Sequence, residues 1–227
     1  MLLPPSEGKA VGGDDPWRAR SGAFPELARA RRTVIDAYAA AVDGEQAAKV
    51  VGASGPLVER ARSSAQALRR NRAVGLPAWQ RFTGVVWEHL RPADLDVERI
   101  AIVSALLGVC AGDDPVPDFR LKLSVSLPQL GRLDRWWRPS LTAALRRWAA
   151  GREVWDLLPN EHAAAVDLGV LGEQVVRVRF DGVSGHDAKA VKGAFARHVL
   201  RTGSHRRFAY GDWRASRRDD LVVLRTR

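Results

Sequence analysis

Apolar residues along this chain alternate between a helical period and short extended runs. In FPELARARRTVIDAYAAAV, residues 24–42, Leu27, Val34, Ile35 and Tyr38 recur at helical spacing in an alanine-rich background, which predicts a helix. A second helix is expected over 45–51, ending at Gly52, and a third starting at Pro56, whose fixed φ suits a first helical turn. A turn and a further helix follow over 77–90. The pattern over 133–150 is helical, although Pro139 breaks it or marks a new first turn. Residues 186–200 make the last predicted helix. Extended runs fall at 100–103, 153–158, 174–180 and 221–224.

The opening MLLPPSEGK is another extended run, halted by Pro4 and Pro5. It predicts a short buried strand that delivers a polar loop, with Ser6, Glu7 and Lys9, to one end of a sheet. Residues 10–24 and CAGDDPVPDFR (110–120) read as loops. Strands and helices interleave without a repeat or a clean linker. The expectation is a single mixed α/β domain over residues 1–227.

Composition narrows the function classes. With 46% hydrophobic residues and eight tryptophans among 227, the chain can bury a substantial core. No apolar run approaches the roughly 18–20 residues that span a bilayer, so no membrane partner is expected. Cys110 is the one cysteine, which excludes an intrachain disulfide and a cysteine zinc site, and a reducing cytoplasm is the expected setting. The five histidines show no HxxxH or HxH spacing, so no metal and no cofactor is called for.

Charge changes the picture further. The net charge is +10, and residues 186–227 hold 11 Lys+Arg against 4 Asp+Glu. A polyanion, DNA first, is the expected partner. Of 36 basic residues 31 are arginine; the lysines are Lys9, Lys49, Lys122, Lys189 and Lys192. In so arginine-rich a chain a lysine marks positions where a compact, deprotonatable ammonium is wanted over a planar guanidinium.

Four stretches carry candidate chemistry. EQAAKVVGASGPLVERA, within 45–66, has the plan of a helix-hairpin-helix. Gly52, Ser54 and Gly55 would form the turn, its amides facing phosphate at a helix start, with Lys49 and Arg60 flanking. An ordinary helical corner fits the same residues, and this turn is one residue longer than Gly-x-Gly. In SGHDAKAVKGAFARHVL, Ser184-Gly185 supplies a turn and Asp187 suits a helix start. Lys189, Lys192, Gly193 and Arg197 then share a face. Gly193 costs about 1 kcal/mol inside a helix, which a close approach of backbone or ligand would explain. Arg206 and Arg207 extend this basic region. In PNEHAAAV, Asn160 caps a helix after a strand, and Glu161 sits in its first turn as a possible acid, base or cation ligand beside His162. In DFRLK, Arg120 and Lys122 point the same way on an extended segment and can clamp an anion. No Walker, GxGxxG or GxSxG motif is present.

Taken in order, these stretches resemble the bacterial peroxide-stress YaaA family. LLPPSEGK is similar to its N-terminal strand and loop, with Lys9 at the family's lysine, and PAWQRFTGVVWEHL to its Phe-x-Gly-x-x-aromatic segment through Phe82, Gly84 and Trp87. IVSALLGV with PDFRLK resembles its strand and loop ending in aromatic-Arg-Leu, at Phe119 and Arg120, and DRWWRPSLTAAL its Trp-containing helix. LLPNEHAAAV aligns Glu161 with its glutamate, and HDAKAVKGAFAR places Lys189, Lys192, Gly193 and Arg197 on its basic helix. The resemblance implies one α/β domain with a positively charged cleft holding Lys9, Arg120, Glu161, Lys189 and Lys192. It also implies a helix-hairpin-helix, DNA binding and protection from peroxide. Leu107, CAGDD, Ser124 and His162 depart from the family pattern and are expected around the cleft.

Two readings stay open. In one, the protein grips DNA backbone through the hairpin amides and the basic C-terminal region. In the other, it is an enzyme on an anionic small molecule. There Arg120 clamps, Glu161 moves protons, and Lys192 or Lys189 stabilises charge or acts as nucleophile, with Lys9 in the same cleft.

Overall fold

A computed structural model describes residues 1–182 and 185–226. Val183, Ser184 and Arg227 lie outside the described residues, and with Ser184 goes half of the turn expected at 184–185. The architecture is mixed α/β around one eight-stranded sheet. Its strands in chain order are β1 (Leu2–Leu3), β2 (Ala101–Ser104), β3 (Gly108–Ala111), β4 (Val154–Asp156), β5 (Val175–Phe180), β6 (Ala209–Tyr210), β7 (Trp213–Arg218) and β8 (Leu221–Thr226). Across the sheet the order is β6-β7-β8-β5-β4-β1-β2-β3. The five strands from β8 to β2 are mutually parallel. An antiparallel hairpin closes each edge.

The expected opening strand is an interior strand of this sheet. Leu2 pairs with both Ala101 and Asp156, and Leu2 and Leu3 are fully buried, as strands covered on both faces require. The helix Gly185–Thr202 covers one face: Phe195 meets Trp155 edge-on at 5.9 Å. It also packs on the helix Val85–Leu90 so closely that a Cβ at Gly193 would collide with the carbonyl oxygen of Val86. The glycine inside that helix therefore accommodates backbone, not a ligand.

The predicted helices appear as Ala28–Asp43, Ala47–Val51 and Pro56–Arg69, followed by Val85–Leu90. Several expectations fail: the loop expected over 10–24 contains the strand Asp15–Pro16, and Asn160 does not cap the helix Asn160–Ala163 but begins it, with Pro159 at the cap. Pro139 neither breaks nor restarts its helix, which runs unbroken from Leu133 to Trp148. The carbonyl that the proline leaves without an N–H partner is that of exposed Arg135, while Trp137, Leu141 and Leu145 bury the opposite stripe. Residues 110–120 are not a loop throughout. Cys110 and Ala111 end β3, and Pro115–Pro117 joins Val74–Pro77 and Asp15–Pro16 in a small antiparallel sheet. The paired aspartates make the bend between these strands, where the Asp114 carboxylate accepts the amides of Ala23 and Ala111 at 2.8 Å each.

Candidate functional site

At the carboxyl ends of the parallel strands, the connections from β1 and β4 leave in opposite directions, β1 toward β2 and β4 toward β5. Open α/β sheets hold ligands in the crevice at such a switch point. Here the crevice is lined by Ser6, Glu7 and Lys9 after β1, by Phe119 to Leu123, and by Glu161 and His162 after β4.

The loop that carries Lys9 is stitched down from below. Thr83 N–H donates to Gly8 O at 3.2 Å and to Ser6 Oγ at 3.1 Å, and Ala10 N–H donates to Arg81 O at 2.9 Å. Gly84 is required because a Cβ there would lie 2.8 Å from that of Ser6. Arg81, fully buried, donates to Val116 O (3.0 Å), Gly12 O (2.8 Å) and Ala10 O. A second buried guanidinium, Arg31, donates to Leu107 O, Val109 O, Ala19 O and Ser21 O at 2.8–3.0 Å. Leu107 and the Asp114 bend, two of the departures from the family pattern, thus serve internal packing. Ser124 and His162, the other two, stand at the cleft.

Lys9 Nζ donates to Ser6 O at 3.0 Å and lies 4.6 Å from the centre of the Phe119 ring. Burial lowers its pKa to about 8, against the opposing pull of Asp118. Glu7 Oε1 accepts from Lys122 Nζ at 2.7 Å, and its other oxygen is 3.7 Å from Arg120. The hydrogen bond from Lys122 holds the Glu7 carboxyl below its ordinary range. Arg120 is aimed by its backbone: its N–H donates to Tyr38 Oη (3.3 Å), and its Nε donates to Val51 O (3.1 Å) at the end of the helix Ala47–Val51. Glu161 Oε1 accepts the Ser124 amide at 3.2 Å.

The structure therefore brings together Lys9, Arg120 and Glu161, and adds Glu7, Lys122 and His162. Cations and carboxylates interleave. Lys192 reaches the same strand ends from the helix Gly185–Thr202. Its Nζ donates to Leu157 O at 2.6 Å and lies 5.4 Å from the centre of the Phe180 ring. Burial lowers its pKa to about 8, opposed by Asp156. Burial in turn raises the Asp156 carboxyl, against the pull of the Leu158 amide. Lys189 is exposed on the same helix. His162 was legible only as a neighbour of Glu161. Its Nδ1 is buried without a hydrogen-bond partner among the described residues, and burial lowers its pKa.

The turn at 52–55 lies beside this cleft at Gly52. Gly52 adopts φ 65°, and a Cβ on it would sit 3.8 Å from Lys122 Cε. Gly55, at φ 58° and ψ −132°, precedes the 14-residue helix Pro56–Arg69 in a region that only glycine enters readily. Lys49, Ser54 and Gly55 are exposed. From the cleft a groove continues past Lys9 and Phe119 to Arg60 and Ser64 on that helix, where Arg60 pairs with Asp118 at 2.6 Å.

Other candidates lie elsewhere. Arg197 pairs with Asp94 at 2.6 Å and donates to Leu90 O and Arg91 O, tying down the end of the helix Val85–Leu90. Arg206 and Arg207 are exposed beyond the far end of the 18-residue helix that begins beside Lys189, a helix about 27 Å long. Cys110 is buried, which pushes its thiol well above the ordinary range and leaves it inert. Among the described residues no group of three or more His, Cys, Asp or Glu is placed to hold a metal, and no helix is long and apolar enough to cross a membrane.

Comparison with known proteins bears on the whole of this arrangement. The model of the family described as peroxide stress protein YaaA matches residues 1–209. A UPF0246 protein of Corynebacterium glutamicum is 37% identical over 210 residues, covering 87% of this chain and 80% of that protein. A UPF0246 protein of Streptomyces coelicolor is 32% identical over 220 residues, covering 90% of this chain and 84% of that protein.

Proposed function

The chain belongs to the peroxide stress protein YaaA family, and from that membership we propose that it serves the peroxide response in the cytoplasm by binding DNA backbone. In this reading residues 45–66 are a helix-hairpin-helix. The amides at Ser54 and Gly55 take one phosphate, and Lys49, Arg60, Arg120 and Lys122 take neighbouring ones. The observation that carries the reading is the exposed glycine turn, held at positive φ at a helix start, with Gly52 beside Lys122 of a groove that also holds Arg60 and Arg120.

The test is fluorescence anisotropy with a labelled 20-base-pair duplex at several salt concentrations. Each phosphate contact should contribute roughly 0.9 to the log–log salt slope. Gly55→Val, which forces a β-branched residue to φ 58°, and the pair Arg60→Gln with Lys122→Gln should each weaken binding about tenfold or more. Binding that vanishes by physiological salt, or that ignores these substitutions, sinks the reading.

A second reading is favoured by one observation: Lys9 and Lys192 are both half-buried ammonium groups whose pKa is lowered to about 8, Lys9 in the crevice and Lys192 beside the carboxyl ends of β4 and β5. Such lysines suit work on an anionic small molecule, with Arg120 as clamp, Glu161 as proton carrier and Lys189 adding charge at the entrance. Glu161→Gln and Lys192→Met would then abolish turnover in a metabolite screen and spare DNA affinity.

A further inference from the structure

Beyond the cleft, the far half of the sheet leaves one face open, and its register gathers arginines there. Arg177 and Arg179 on β5 pair with Leu221 and Val223 on β8, which pair in turn with Arg218 and Ser216 on β7. Arg225 on β8 lies directly opposite Arg214 on β7. Paired residues share a face, and residues two apart share it too. Arg177, Arg179, Arg214, Arg218 and Arg225 therefore project from one side of three adjacent strands. Val178, Phe180, Trp213, Val222 and Leu224 project from the other, where Phe180 meets Lys192 of the helix Gly185–Thr202. Four of the five arginines are exposed and Arg214 is half-buried, so no element covers this side.

Two features make this more than a solvated surface. Arg214 and Arg225 are like charges in direct cross-strand register, an arrangement that costs stability when nothing anionic lies over it. Among the described residues only Arg179 of the five makes an ion pair, with Asp181 at 2.7 Å.

We propose that this face is a second phosphate-binding platform, separate from the glycine turn and the cleft, and that its partner is the backbone of duplex nucleic acid. The inference rests on the reading of the protein as DNA-binding but uses none of the same residues. The composition of the face selects the partner. Its aromatic neighbours Phe180 and Trp213 point to the opposite side, so bases have nothing to stack on. Among the described residues the exposed large apolar ones, Val11, Leu57, Val74 and Val170, are all elsewhere, so a membrane has no anchor among them to take up. What remains is a set of guanidiniums whose backbone positions lie about 7 Å apart along β5 (Arg177 and Arg179), about 5 Å apart across β7 and β8 (Arg214 and Arg225) and about 10 Å apart from β5 to β7 (Arg177 and Arg218), which suits phosphates without reading sequence. The family match ends at residue 209, so Arg214, Arg218 and Arg225 lie beyond the part of the chain it covers.

The test is the triple substitution Arg214→Gln, Arg218→Gln and Arg225→Gln, measured by anisotropy on the 20-base-pair duplex beside Gly55→Val. The triple variant should melt as cooperatively as the parent chain. Its affinity should fall at least roughly tenfold and its salt slope by about 2–3, and these losses should add to those of Gly55→Val. Unchanged affinity and slope in a folded triple variant overturn the platform. So does loss of binding to anionic phosphatidylserine vesicles with duplex binding intact. If Gly55→Val is silent while the triple variant loses binding, the turn reading fails and the platform stands. If the parent chain binds no duplex, both fail.

Discussion

Desolvated cations occur in two settings here, two of them fully buried and two half-buried, and they are handled in opposite ways. Arg31 and Arg81 lie in the packing beneath the loops, and each points its guanidinium at three or four backbone carbonyls. Lys9 and Lys192 lie at the strand ends, and each has a single carbonyl and an aromatic face. A guanidinium keeps its charge under any condition, so its burial demands saturated hydrogen bonding. An ammonium left with one partner can instead shed its proton. In this chain arginine holds structure where charge is permanent, and lysine stands where charge is conditional.

The largest expected break in this comparison is Arg81→Met. It would orphan the carbonyls of Ala10, Gly12 and Val116 and free the loop beneath Lys9. Urea denaturation should show a loss of about 3 kcal/mol or more. Gly193→Ala comes next, at about 2 kcal/mol by the same method, since a well-packed helix pair must separate to admit a methyl group. Lys192→Met should cost under about 1 kcal/mol, because it removes a desolvated ammonium and retains the stem. A near-equal loss for Arg81→Met and Lys192→Met would dissolve the distinction.

The subtlest prediction concerns pH. The folded pKa values of Lys9 and Lys192, about 8, lie below the ordinary lysine value of 10.5, so the unfolded chain holds more protons between them. Stability should therefore rise with pH from about 8 toward 10.5. The double variant Lys9→Met, Lys192→Met should lose that rise in denaturation midpoints compared across the window. A rise that persists in the double variant belongs to other groups.

Much of the scaffold was legible from local pattern. The helices and most of the parallel strands carry their period in sequence, and Pro4-Pro5 marks the end of β1. Pro139 misled because its exposed position makes a missing N–H tolerable, which periodicity does not register. The strand β3 hid in a run ending CAGDD, whose turn residues belong to the bend and not to the strand. At the site, each residue was visible singly. That Arg60 and Lys122 border one groove with Lys9, beside the turn at 52–55, depends on contacts between distant segments, such as Arg120 on Val51. Gly193 announced a close approach, but only packing identifies the Val85–Leu90 backbone as the neighbour. Arg214, Arg218 and Arg225 show in sequence only as part of a basic tail, because their alignment with Arg177 and Arg179 comes from strand register.

The place of β1 also sets an order of events during folding. Its two neighbours, β2 and β4, arrive roughly 100 and 150 residues later in the chain, so this interior strand is synthesised well before it can be enclosed. Until Asp156 has emerged, Leu2 and Leu3 have at most one partner, and the crevice built on their loop does not exist. On a ribosome the site would form late and all at once, an appearance that limited proteolysis of stalled nascent chains would register as sudden protection of β1 and the loop that carries Lys9.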